Sequence, residues 1–185
     1  MFPEFKSGEV SGGWFTLAYL AVNIACLAFF KRGAIKRLTS RPSNLSLRMR
    51  RYIWVQTQLF FAPMAYAAWL PVRPSSLSFQ IGTTIFTIGM LAYAAGMITF
   101  GRANVDSPIR TGVYRYSRHP HYVSSFIAWM GASLAMQSLV VPAAWLLLFA
   151  MMHRTNKIEE QACLEQYGDA YREYMNQTPR YLLLK

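Results

Sequence analysis

The sequence predicts an all-α integral membrane protein of about five transmembrane helices, the last two forming a C-terminal hairpin, followed by short cytosolic C-terminal helices. Three observations predict it. The 185 residues are 54% hydrophobic and only 15% charged, against about 25% charged in ordinary soluble domains. The charges are clustered: none falls between Glu9 and Lys31, Arg51 and Arg73, Arg73 and Arg102, or Arg118 and Arg154. Stretches of that length without a polar face suit a bilayer, which takes about 20 apolar residues per crossing. The net charge is +11, and the excess sits beside the apolar stretches, as basic loops facing anionic headgroups do. The expected partners are therefore the membrane and its lipids, and nucleic acid is not among them. The length suits one membrane domain over residues 1–185, with N-terminal spans and a basic loop in 1–78 and a second half in 79–185.

The first span is expected over residues 14–30. Glu4 and Glu9 precede it where a signal peptide would carry a basic region, so it reads as a retained span. The loop 31–51 follows, with Lys31, Arg32, Lys36, Arg37, Arg41, Arg48, Arg50 and Arg51 and no acid; it is expected to meet anionic lipid headgroups in the cytosol. The second span is expected over 52–70, with Pro63 as a possible kink that neighbouring helices can accommodate. The third, 79–100, carries Gly82, Gly89 and Gly96 at a spacing of seven, a stripe that lets another helix approach closely. The uncharged interval 119–153 would be about 50 Å long as one helix, too long for a hydrocarbon core of about 30 Å. It is therefore expected to form two helices, about 122–137 and 140–153, joined by a turn before Pro142. In the tail, Gly168–Asp169 marks a helix end and a new N-cap, which predicts two short helices over 154–185. Cys26 and Cys163 fall in different environments, so no disulfide and no metal site is expected. With loop 31–51 in the cytosol, five crossings place the N-terminus outside and the C-terminus in the cytosol. The connector 101–121 and the tail then share the cytosolic face.

Those two polar segments carry the candidate chemistry. "GVYRYSRHPHYVSS", residues 112–125, packs Arg115, Arg118, His119, His121 and three tyrosines at the mouth of an apolar helix. Part of this is an interfacial belt, in which Arg115 and Tyr116 are at home. The RHPHY run is less easily explained that way. Pro120 pushes His119 out of helical geometry and suits the first helical turn, beside which an anion is favoured. Arg118 adds positive charge. In "HRTNKIEEQ", residues 153–161, one of Glu159 and Glu160 could bind a ligand ammonium, and Arg154 a carboxylate. An anion subsite and a cation subsite on one membrane face suit a zwitterion such as an amino-acid moiety. No Gly-rich dinucleotide loop, P-loop, H-E-x-x-H or G-x-S-x-G occurs.

"TGVYRYSRHPHY" resembles the G-[VI]-Y-x-x-x-R-H-P-x-Y motif of the isoprenylcysteine carboxyl methyltransferase family, which is related to the phospholipid methyltransferases. "EEQACLEQYGDAYREYMNQTPRYL" resembles that family's tail: two acids, then F/Y-G-D/E-x-Y-x-x-Y, then an Arg after a Pro. The resemblance covers about residues 80–184. It implies an integral membrane methyltransferase using S-adenosylmethionine, with residues 79–185 as the cofactor-binding half. By position, Tyr114, His119, Pro120, His121 and Tyr122 would line the cofactor pocket, Ser107, Pro108 and Ile109 would approach it, and Glu159 would hold the cofactor's ammonium. Arg118 and Glu160 are possible additional contacts, and Arg154 falls near a family arginine on the substrate side. Ser124 stands where the family often has Gly, and no Pro follows "PRYL", which bears on helix packing and on the tail's path.

Methyl transfer from a sulfonium needs alignment and exclusion of water more than acid–base chemistry. A carboxylate acceptor needs no base at neutral pH, whereas an amine must first lose a proton. No dedicated base stands out, which favours a carboxylate acceptor or a lipid amine deprotonated in solution; with the resemblance, the expected acceptor is an isoprenylcysteine-like carboxylate and the alternative a phospholipid amine. An NADPH-dependent membrane reductase would call for more spans and more basic residues than 185 residues supply; a non-enzymatic membrane protein would need its charges only for topology.

Overall fold

The computed structural model describes residues 7–31, 33–35 and 45–182. Among them the chain forms six α-helices: α1 Gly13–Leu27, α2 Leu47–Ala67, α3 Leu77–Arg102, α4 Pro120–Ala135, α5 Val140–Tyr167 and α6 Asp169–Gln177. A 3₁₀ turn covers Gly112–Arg115. One feature departs from the all-α expectation: Val10–Ser11 pairs antiparallel with Pro71–Val72, in register Val10 to Val72. Two-residue strands carry no alternation that a sequence pattern could reveal.

The helix starts follow from local chemistry. Ser46 accepts a hydrogen bond from the Met49 amide at 3.3 Å and Ser76 one from the Phe79 amide at 3.1 Å, each capping its helix. Arg48, Arg50 and Arg51 therefore lie on the first turns of α2 and not in a loop. The expected basic loop keeps only Lys31 within the described residues, since Arg32, Lys36, Arg37 and Arg41 lie outside them. Between α4 and α5 the chain turns over residues 136–139, with Gln137 at φ 51°.

The tail differs from the expectation. The charged segment from Arg154 is not a separate helix; α5 runs without interruption from Val140 through Glu159 to Tyr167. A change from apolar to charged composition does not by itself end a helix, and nothing between Pro142 and Gly168 breaks one. Of the described helices, α3 is the one long and apolar enough to cross a membrane on its own, and α1 is apolar but shorter.

The core sits where α1, α3, α4 and α5 meet. Trp129 and Trp145 stack at 5.1 Å, flanked by Tyr19, Phe60 and Phe86. The seam between α3 and α4 is backbone against backbone. A Cβ on Gly82 would stand 2.4 Å from the Ala135 nitrogen, and one on Gly89 2.6 Å from the Ala128 nitrogen. At Gly96 the nearest atom, the His121 nitrogen, is at 3.6 Å, an ordinary contact. The glycine stripe thus has two tight positions and one loose one. Gly89→Ala is expected to destabilise the protein by about 1–3 kcal/mol through overpacking, while Gly96→Ala stays near wild type. Thermal unfolding of the two variants in detergent checks this, and equal melting temperatures would refute it.

Candidate active site

Three local breaks shape the site. Gly112, at φ 57°, lets the chain pass over α3, where a Cβ would press on the Thr99 hydroxyl at 2.9 Å. The following 3₁₀ turn buries Tyr114. Pro120 opens α4, leaving His119 in a non-helical geometry, φ −127° and ψ 57°, as its N-cap. Gly168, at φ 55° and ψ −129°, joins α5 to α6, a conformation open essentially to glycine. It turns α6 back so that Tyr171 and Tyr174 close on the RHP segment, and the Tyr174 hydroxyl donates to the Tyr114 carbonyl at 2.7 Å.

The result is a cavity of about 190 Å³. Its wall comes from the end of α3 (Phe100), the connector (Pro108, Ile109, Tyr114), the start of α4 (Arg118 to Tyr122, Pro120 excepted), α5 (Glu159, Ala162, Cys163, Gln166, Tyr167) and α6 (Tyr171, Tyr174). The connector is clipped over it. The Tyr167 hydroxyl donates to the Val105 carbonyl at 2.9 Å, and Arg110 bonds the Ala170 carbonyl and, at 3.0 Å, Glu173.

The two adjacent glutamates part company. Glu160 is 3% exposed and receives Arg118 Nε at 2.9 Å, Arg180 Nε at 2.9 Å and Nη2 at 2.6 Å, with His119 Nε2 at 3.2 Å. Burial by itself raises its pKa, but the hydrogen bonds from His119 and Arg180 and the Arg118 charge outweigh burial and hold the carboxyl at about 2. Arg118 also donates to the carbonyls of Met175 and Thr178, and its own amide bonds the Pro179 carbonyl. Arg118, Glu160 and Arg180 therefore fasten the segment 175–180 beneath the site. Glu159 points elsewhere: its side chain is 45% exposed, lines the cavity, accepts from the Tyr122 hydroxyl at 3.0 Å and stands 3.8 Å from His119 Nδ1.

Of the residues expected from the sequence, Pro108, Ile109, Tyr114, Arg118, His119, His121, Tyr122 and Glu159 meet at this cavity. Ser107 is exposed beside it, and Pro120 is buried at the start of α4. Glu160 lies behind the wall, bonded to the arginines. Arg154 is exposed and does not reach the cavity; its guanidinium lies 5.2 Å over the Tyr52 ring on α2. Ser124, in the family's glycine position, folds its hydroxyl back onto the Pro120 carbonyl at 2.7 Å and is buried without opening the seam. Sequence reasoning missed Phe100, Cys163, Gln166 and Tyr167 as lining residues. It gave Tyr171, Tyr174 and Arg180 only as letters of the tail motif. No disulfide joins Cys26 and Cys163. Among the described residues no group of three or more His, Cys, Asp or Glu is placed to hold a metal ion.

Comparison with known proteins adds three findings. Residues 76–170 match the model of the phospholipid methyltransferase family. Two curated bacterial proteins align over 102 residues. The nickel-cobalt-cadmium resistance protein of Alcaligenes xylosoxydans xylosoxydans is 29% identical, and the cobalt-zinc-cadmium resistance protein of Cupriavidus metallidurans is 30% identical. Each alignment covers 55% of this chain and 46% of the relative, so the chain spans about half the length of the curated relatives it matches. Among solved structures, the eukaryotic intramembrane Ras methyltransferase, isoprenylcysteine carboxyl methyltransferase, superposes with a TM-score of 0.52 at 20% identity. That alignment covers 91% of this chain and 66% of the other, and at that identity it speaks for a common fold.

Proposed function

The chain belongs to the phospholipid methyltransferase family, and we propose that it transfers a methyl group from S-adenosylmethionine to a lipidic acceptor at the cytosolic face of a membrane, the acceptor being a carboxylate of the isoprenylcysteine kind. In this reading α1 to α4 and the apolar half of α5 lie in the bilayer as a multi-pass bundle. The N-terminus is outside, and the basic stretch 31–51 faces anionic headgroups in the cytosol.

The observation that carries the reading is Glu159, a half-exposed carboxylate on the wall of a tyrosine-lined cavity built from the RHP segment. A group with an ammonium, a sulfonium and a flat base fits that donor set. Glu159 would take the ammonium, the tyrosine faces favour a cationic sulfur, and His121, Tyr122 and Phe100 offer flat surfaces. When bound, the cofactor supplies a methyl group already activated by positive charge. What remains for the protein is to orient the acceptor and keep water out. Tyr122 holds Glu159 in place through its hydroxyl, and the clipped connector with Ile109 covers the cavity from the solvent side. The phospholipid amine stays as the second reading because the family's description names phospholipids; an amine would have to lose a proton before attack.

S-adenosylhomocysteine is expected to bind the detergent-purified protein by calorimetry. Labelled methyl groups should then pass to a farnesylated cysteine analogue in preference to phosphatidylethanolamine. Absence of binding would overturn the methyltransferase reading, and the opposite acceptor preference would replace the carboxylate by the amine.

A further inference from the structure

Arg154 is the cation that the cavity leaves over. It is exposed at the seam between α5 and α2, where its guanidinium lies over the Tyr52 ring. The seam around it is fastened. The Tyr52 hydroxyl donates to the Met151 carbonyl at 2.9 Å, and the Thr155 hydroxyl to Gln56 Oε1 at 2.5 Å. A ring restrains a guanidinium but takes none of its N–H donors. Three further exposed cations stand close in sequence to this contact: Lys157 one turn along α5, Arg48 one turn before Tyr52, and Arg51 beside it. Among the described residues no carboxylate pairs with any of the four. By contrast Arg110, Arg118, Arg172 and Arg180 each have one.

Away from these cations both helices turn apolar along one stripe. On α2 the stripe is Tyr52, Val55 and Leu59; on α5 it runs from Arg154 back through Met151 to Leu147. Steps of three and four residues keep each stripe on one face of its helix. Val55, Leu59 and Leu147 are exposed, and so is Trp54 next to Val55. Tryptophan, tyrosine and arginine together mark the level where headgroups meet hydrocarbon. Each stripe spans seven residues, about 10 Å at 1.5 Å per residue. A cluster of unpaired cations that grades over that distance into exposed aliphatic side chains is complementary to an anionic head on an acyl chain. A free anion would use the cations and leave the stripes bare.

We propose that the α2–α5 seam holds one anionic phospholipid, its phosphate on Arg154 with Arg48, Arg51 and Lys157, and an acyl chain along Val55 and Leu147. The lipid is a bound partner and not the methyl acceptor, since Arg154 does not line the cavity. It ties the first turns of α2 to the helix that carries Glu159. The site rests on the bilayer placement of α2 and α5 above and is independent of methyl transfer.

The test titrates the full chain in neutral detergent with dioleoyl phosphatidylglycerol or dioleoyl phosphatidylcholine and follows thermal unfolding. Phosphatidylglycerol carries the phosphate charge and has no amine to methylate. It is expected to raise the melting temperature saturably, with about tenfold higher affinity than phosphatidylcholine. Arg154→Gln should lower that affinity about tenfold, the worth of a hydrogen bond to a charged group. Arg115→Gln, which removes an equal charge from an exposed arginine elsewhere, should leave it at the wild-type value. Equal affinities for the two lipids, or equal losses in the two variants, overturn the proposal, the latter by showing a diffuse surface charge. An equal shift with glycerol phosphate overturns it in favour of a soluble anion. Melting without lipid reports whether Arg154→Gln folds. If it does not, native mass spectrometry of the wild type in a mixture of both lipids decides: one phosphatidylglycerol retained per chain is expected, and equal retention overturns the site. Flotation with phosphatidylcholine vesicles tests the bilayer placement itself. A chain that floats yet shows no preference for phosphatidylglycerol loses the site alone, and one that does not float loses both.

Discussion

Replacing Glu160 with Gln is expected to destabilise the protein by about 3–5 kcal/mol, because it strands two guanidinium groups around a buried, uncharged amide. Glu160 is the common acceptor of Arg118 and Arg180, and Arg118 in turn holds the carbonyls of Met175 and Thr178. Losing that anchor should release the segment from Met175 to Tyr181 together with the turn at Ser117, whose hydroxyl bonds the Arg180 carbonyl. Thermal unfolding in detergent and limited proteolysis near residue 180 would register it, and a wild-type melting temperature would contradict it. The same network predicts a pH dependence. The Glu160 carboxyl is held near 2 in the folded chain against an ordinary 4.5. Its contribution is therefore complete above about pH 4.5 and is lost as pH falls toward 2.

Replacing Glu159 with Gln should do the opposite on both counts. Its side chain is 45% exposed, accepts from the Tyr122 hydroxyl and faces His119, and Gln keeps an acceptor there, so stability should change by no more than about 0.5 kcal/mol. Affinity for S-adenosylhomocysteine should fall by about tenfold to a hundredfold, the worth of one hydrogen bond to a charged group. Calorimetry beside a melting curve separates the two neighbours. Weakened binding in Glu159→Gln with intact folding, set against unfolding in Glu160→Gln, is the expected pair. Equal effects on stability would mean that both acids are structural.

The contrast between those neighbours also shows what the sequence could convey. Pro120 and Gly168 are strong local signals, and the chain breaks its helices at both. The spacing of Gly82 and Gly89 marks a close seam, because only a residue without Cβ leaves room for the Ala128 and Ala135 backbone. The motif residues Tyr114, His119, His121 and Tyr122 and the acid Glu159 converge on one cavity. Which acid faces that cavity was not legible in composition or spacing; only the family resemblance pointed to Glu159. The choice depends on the phase of α5 relative to Arg180, twenty residues on, whose partner is chosen by tertiary packing. Tyr171 and Tyr174 stand in the sequence only as motif letters for the same reason, since nothing local says that Gly168 folds them back. Arg154 was placed by its nearness to Glu159 in sequence, yet five residues along a helix turn a side chain well away, here toward Tyr52. The charge boundary at 153–154 suggests a joint because composition changes there, whereas a helix ends only where its backbone is interrupted.

That uninterrupted helix has a mechanical side. On α5, Leu146 and Leu147 are exposed apolar residues, and Glu159 stands about 18 Å further along the same rod, at 1.5 Å per residue. A rigid tilt of about ten degrees pivoting at the leucines would carry the Glu159 backbone about 3 Å, roughly the length of the hydrogen bond that seats its carboxylate. Helix tilt is how membrane proteins accommodate a thinner or thicker bilayer. No break separates the exposed leucines from the pocket wall, so if α5 is seated in the bilayer as proposed, it would act as a lever, and a change in lipid thickness would be expected to reach the pocket.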